Sequence, residues 1–113
     1  MNLLDIEKIF NEAYLFEDIK IKSVKLLEKK ILNSDSNFLK EEEEKLPNDI
    51  KLKDFSIRYK CTELFLNNHD RIYPFFRVCL ELLHPETQIQ QYYYDVEYTI
   101  DGELSDEYFG MYK

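Results

Sequence analysis

Over the first 32 positions apolar residues return every three to four places. Leu3, Ile6, Phe10 and Ala13, flanked by Leu4, Ile9 and Tyr14, mark one face of a helix over about residues 3–16. Asn2 is placed to cap it, and Asp5 and Glu7 lie in the first turns, where the helix dipole favours acids. The next stretch is ambiguous. Asp18-Ile19-Lys20-Ile21-Lys22 alternates like a strand, whereas Val24, Leu27 and Ile31, with Leu26 beside them, fit a helix. A second helix over about residues 19–33 is the preferred reading and a strand the alternative. Asp49 to Lys53 repeats the alternation, but five residues are too short to claim a duplication.

Asn33 to Asn37 is loop chemistry, because each side chain competes for nearby backbone groups. Phe38-Leu39-Lys40 and the four glutamates Glu41 to Glu44 predict a short, solvated helix capped near Ser36 and ended by Pro47-Asn48-Asp49. The period then changes to two. Phe55, Ile57, Tyr59 and Cys61 fall on one face of a half-buried antiparallel strand, with Asp54, Ser56, Arg58, Lys60 and Thr62 on the other. Asn67 to Arg71 makes a turn. The most apolar strand runs from Ile72 to Leu83, with Ile72, Phe76, Val78, Leu80 and Leu82 on one face and Tyr73, Phe75, Cys79 and Leu83 on the other. Both faces apolar predicts a central position, and Pro74 belongs near its beginning or at a bulge. After the turn at His84 to Thr87, a third strand points Tyr92, Tyr94, Val96, Tyr98 and Ile100 inward. Asp101-Gly102 signals a hairpin. A three-residue loop pairing Ile100 with Leu104 suits the apolar positions better than a two-residue one, although Asp106 fits it badly. A short helix from Ser105 competes with a fourth strand.

This order predicts one α+β domain over residues 1–113, mainly helical to residue 48 and mainly antiparallel strands from residue 49. N-terminal helices pack on one face of a three- to four-stranded meander, and the other face is partly solvated. A chain of 113 residues with 44% hydrophobic content can fill one such core. Its 17 aromatics, nine Tyr and eight Phe, exceed what packing needs, and surplus Tyr favours wet interfaces.

The net charge of −8 is unevenly spread. Residues 1–77 hold 15 acidic and 14 basic side chains, whereas residues 78–112 hold eight acidic and no basic ones. Such a field repels nucleic acid and attracts basic partners. The start lacks the basic and apolar regions of a secretory signal, and no apolar run is long enough to cross a bilayer, so cytoplasmic residence with reduced cysteines is expected.

Sites of chemistry are sparse. Gly102 and Gly110 are the only glycines, which rules out a phosphate-cradling glycine loop. His69, His84, Cys61 and Cys79 are isolated from one another in sequence, so neither a metal site nor a cofactor is expected. A Cys79–His84 nucleophile pair and acid–base work by Asp95 and Glu97 are both disfavoured: a central-strand Cys is an inert small hydrophobe, and solvated carboxylates are unperturbed. No enzymatic role is expected. Matching the apolar faces of the first two strands puts Cys61 and Cys79 on opposite sides of the sheet, which argues against a disulfide.

The remaining constellation is outward-facing: Tyr93, Asp95, Glu97, Asp101 and Glu103, with Glu107 as a further member. Carboxylates steer and pair with a basic partner, and Tyr supplies contact area at low entropic cost. The run Tyr92-Tyr93-Tyr94-Asp95-Val96-Glu97-Tyr98 and the acidic hairpin after it, in a small acidic domain without catalytic apparatus, resemble the general format of bacterial immunity proteins of contact-dependent inhibition and other polymorphic toxin systems. That resemblance implies stoichiometric occlusion of a basic toxin domain, often a nuclease, by the acidic face. The rivals are a small-ligand enzyme or carrier with a pocket between Tyr92, Tyr94, Tyr98 and the helices, and an oligomeric adaptor pairing through an edge strand.

Overall fold

Four positions spaced by four residues, Ile19, Ser23, Leu27 and Ile31, form the buried stripe of a long helix and hold it against the sheet. In the computed structural model, which describes residues 1–113, this helix is α2 (Phe16–Leu32). The strand-like alternation around Ile19 and Ile21 therefore resolves as helix, with Ile21 on the exposed side. Before it lies α1 (Leu3–Ala13), whose N-terminus is closed by a reciprocal capping box between Asn2 and Asp5. The chain turns sharply at Leu15, a non-glycine residue at φ 49°. After α2 come a short turn of 3₁₀ helix and α3 (Lys40–Lys45), then another 3₁₀ turn at Leu52–Asp54. Ser36 does not cap α3; the Asn37 side chain instead accepts from the Leu39 backbone N–H. Within the glutamate run, Glu41 and Glu44 are exposed, while Glu43 accepts from the Leu52 backbone N–H at 2.8 Å.

The second half is an antiparallel meander in sequence order: β1 (Ser56–Phe65), β2 (Phe75–Leu83), β3 (Gln90–Tyr98) and β4 (Leu104–Met111). β2 is central and buried on both faces, as its double apolar pattern predicts, although it begins at Phe75 and leaves Ile72 and Tyr73 exposed. The final segment is a strand. The architecture is α+β.

The helices cover one sheet face. There Phe76, Val78, Leu80 and Leu82 of β2 meet Tyr92, Tyr94, Val96 and Tyr98 of β3, all buried. The space between the tyrosines and the helices is packed. Tyr98 stacks on Phe76 and Tyr92 on Phe109, while the Tyr98 hydroxyl lies 2.7 Å from Ser23 Oγ, which donates to the Ile19 carbonyl. Burying Ser23 is thus compensated by two hydrogen bonds.

Two sequence expectations on strand register are corrected. The β1–β2 register slips between Tyr59 and Cys61, so a bulge at Lys60 turns Cys61 away from the face of Ile57 and Tyr59. Beyond it Thr62 and Leu64 face the helices, and the Tyr59 and Thr62 hydroxyls lie 2.7 Å apart. Cys61 and Cys79, expected on opposite sides, are direct cross-strand partners on the open face, both free thiols. In the β3–β4 hairpin the loop does have three residues, but they are Ile100, Asp101 and Gly102. The Thr99 N–H donates to the Glu103 carbonyl and Gly102 takes φ 78°. Ile100 is exposed in that loop, where its carbonyl accepts from the Tyr14 hydroxyl at 2.6 Å. A second register slip beside Tyr98 pairs it with Leu104 and absorbs the mismatch at Asp106.

Candidate functional site on the open sheet face

Strand register lays the open face out as a grid. One row across β1 to β4 reads Arg58, Glu81, Tyr93, Gly110; the next reads Cys61, Cys79, Asp95, Tyr108; the third reads Glu63, Arg77, Glu97, Asp106. The outer rows carry ion pairs. The middle row carries thiols, a carboxylate and a phenol.

Glu97 is buried and saturated with donors. Arg71 and Arg77 each contact it at 3.1 Å, and the Ser105 and Tyr108 hydroxyls donate to it at 3.1 and 3.4 Å. Burial pushes its carboxyl up, but the hydrogen bonds from Arg71, Arg77 and Ser105 outweigh burial and hold it below its ordinary range. Glu81 is arranged alike. Arg58 donates at 2.9 Å and the Tyr112 hydroxyl at 2.9 Å, so its carboxyl also lies low despite burial. Aromatic rings brace the cations: Arg77 lies 4.3 Å from the Tyr108 ring centroid, and Arg71 lies 4.2 Å from that of Phe75.

The middle row behaves differently. Asp95 is half-buried and has no ion pair; burial, reinforced by Glu63, raises its carboxyl. The Cys79 thiol, pushed up mainly by burial, donates to Glu63 Oε1 at 3.1 Å. Around these groups lies a groove of about 350 Å³, walled by Lys60, Arg77, Tyr93, Tyr108 and Tyr112. The Tyr93 ring closes one side by lying directly over Gly110, where a Cβ would overlap it, and meets Tyr112 edge to face.

The sequence-predicted residues therefore part company. Tyr93, Asp95 and Glu97 do share the open face of β3, but Glu97 is consumed by two arginines from elsewhere in the chain. Asp101 and Glu103 sit exposed at the hairpin tip. Glu107 is on the opposite, helix-covered face, opposite Val96 and 3.6 Å from Lys30 of α2, so its inclusion among outward groups is corrected. Its Oε1 and the Tyr94 hydroxyl are buried without a hydrogen-bond partner of good geometry. Burial and the neighbouring Glu107 charge both raise the Tyr94 hydroxyl.

No protein-family model matches the sequence, and no curated protein and no solved structure shows a significant match to it. No helix is long and apolar enough to cross a membrane.

Reading the strands in isolation missed Cys61, Glu63 and Tyr108 as members of this face. A signal was present. Strict alternation through Phe55, Ile57, Tyr59 and Cys61 would have carried Glu63 onto the core face, a placement that only a bulge relieves.

Proposed function

We propose that the chain is a stoichiometric inhibitor that binds a basic protein, in the manner of the immunity proteins whose format it resembles, with a toxin domain as the partner. One observation carries this reading. Internal cations take up Glu81, Glu97 and Glu107, whereas Asp95, Asp101, Glu103 and Asp106 have no cationic partner and all belong to the β3–β4 hairpin. The docking surface is accordingly narrower than the acidic segment. It runs from Tyr93 and Asp95 on the open face to the exposed tip at Asp101 and Glu103. Unpaired carboxylates there steer a cationic partner and are not already neutralised within the fold.

Because Glu97 is a structural ion pair, charge reversal at that position tests the fold. The clean test is the double reversal Asp101→Lys and Glu103→Lys, at two exposed side chains. With a partner captured from the native host, association at low salt is expected to slow by about tenfold or more while the fold is unchanged. Association that keeps both its rate and its salt dependence refutes the reading.

A second reading has its own observation. α1 buries none of its side chains fully, and Leu3, Leu4 and Ile9 are 81%, 74% and 51% exposed. Its Leu3, Ile6 and Phe10 share a groove with Tyr59, Thr62 and Leu64 of the edge strand β1. That arrangement favours association with a second copy. The solution mass of the purified chain decides it.

A further inference from the structure

The open face brings together four groups from three strands, Cys61, Cys79 and Asp95 of the middle row and Glu63 of the row beside it. Cys61 and Cys79 are cross-strand partners, Cys79 and Asp95 are partners in the next pair, and Glu63 follows Cys61 by two residues on the same face. Donor atoms of Glu63, Cys79 and Asp95 all lie within 4.8 Å of one another, and Cys61 lines the same groove. Neither Glu63 nor Asp95 takes part in an ion pair. The rim cations are turned aside: Arg77 is held by Glu97 and the Tyr108 ring, and Lys60 lies over the ring of Tyr112.

From this geometry we propose that Cys61, Cys79, Glu63 and Asp95 form a binding site for a thiophilic divalent cation, with zinc as the best fit. Two sulfurs and two carboxylate oxygens match the donor types and the coordination number of four that zinc accepts. Calcium and magnesium, which want six or more oxygen ligands, do not suit it. Zinc bonds of about 2.3 Å to sulfur and about 2.0–2.2 Å to oxygen place tetrahedral ligands roughly 3.5 Å apart. Cys79 Sγ already lies 3.1 Å from Glu63. The contraction therefore falls on Glu63, an exposed side chain on an edge strand, turning toward Asp95. It falls also on Cys61, which lines the groove outside the 4.8 Å set and must swing its thiol in. Binding replaces the Cys79–Glu63 hydrogen bond, and each thiol releases its proton to solvent as it ligates. The bulge at Lys60 is what makes the set possible, since without it Cys61 and Glu63 would face the helices. The site shares Asp95 with the protein-binding surface, but its test stands apart from that reading because the metal alone is the probe.

The reduced, chelator-stripped chain is titrated with Co²⁺ and then with Zn²⁺. One equivalent of Co²⁺ is expected to give a thiolate-to-cobalt charge-transfer band in the near ultraviolet. Zn²⁺ should bleach that band and raise the melting temperature. Cys79→Ser and Asp95→Asn should abolish it, and Glu63→Gln, at an exposed position that does not endanger folding, should weaken affinity about tenfold or more. His69→Ala removes the exposed His69–Asp70 pair and should change nothing. Absence of the band, its survival in Cys79→Ser, unchanged affinity in Glu63→Gln, or loss of binding in His69→Ala would each overturn the proposal.

Discussion

Single side chains on the open face do work that their residue types do not announce. Glu97 looks like a solvated acid and is instead the hub of two arginines, a serine and a tyrosine. Its folded-state carboxyl is depressed, so its contribution to stability is present above the usual glutamate range and is lost as pH falls through the depressed value. Glu97→Gln is therefore expected to cost about 2 kcal/mol at neutral pH, and the gap from wild type should narrow as urea melts are repeated at increasingly acidic pH. A gap that stays constant would remove the charge from the explanation. Gly110 is needed for a different reason. It has an ordinary backbone conformation, but the Tyr93 ring occupies the place of its absent Cβ. Gly110→Ala should destabilise by about 1–3 kcal/mol through overpacking, and combining it with Tyr93→Ala should recover part of that loss. Neither role is legible along the chain, since each depends on a neighbour from another strand.

At the level of elements, local periodicity was a sound guide wherever one face is buried. Leu27 and Ile31 marked α2, the double apolar pattern marked β2 as central, and the alternation from Tyr92 to Tyr98 marked β3. The reading failed where an element is irregular. The bulge at Lys60 reverses half of β1 without disturbing the alternation up to Cys61, and the slip beside Tyr98 moves the hairpin loop by one residue. α1 shows the other limit: its amphipathic pattern is clear, yet the fold covers only part of the apolar face. The two helices should accordingly respond differently to truncation. Leu27→Ala, at a fully buried position, should cost about 2–5 kcal/mol, whereas Ile9→Ser should stay within about 0.5 kcal/mol, as read from denaturant melts of the dilute monomer. A large loss for Ile9→Ser would mean that α1 is covered in solution.

Over the whole molecule, the charge asymmetry is where sequence and structure diverge most. The excess of acid after residue 77 is a property of composition, and it needs no fold to be seen. How much of that acid faces a partner is another matter, because Arg58, Arg71, Arg77 and Lys30 reach it from earlier in the chain. The sequence by itself determined the first helix, the first three strands, the antiparallel meander and the α+β class. Each of these follows from backbone geometry that repeats every few residues and is visible within a short window. The helical state of residues 19–33 and the fourth strand were settled only by the fold. Only the tertiary structure decided which carboxylates stay unpaired and which thiols meet. Those outcomes depend on register, which one bulged residue resets for everything beyond it. The same bulge that hid the row of Cys61, Cys79 and Asp95 from the sequence is what assembles it.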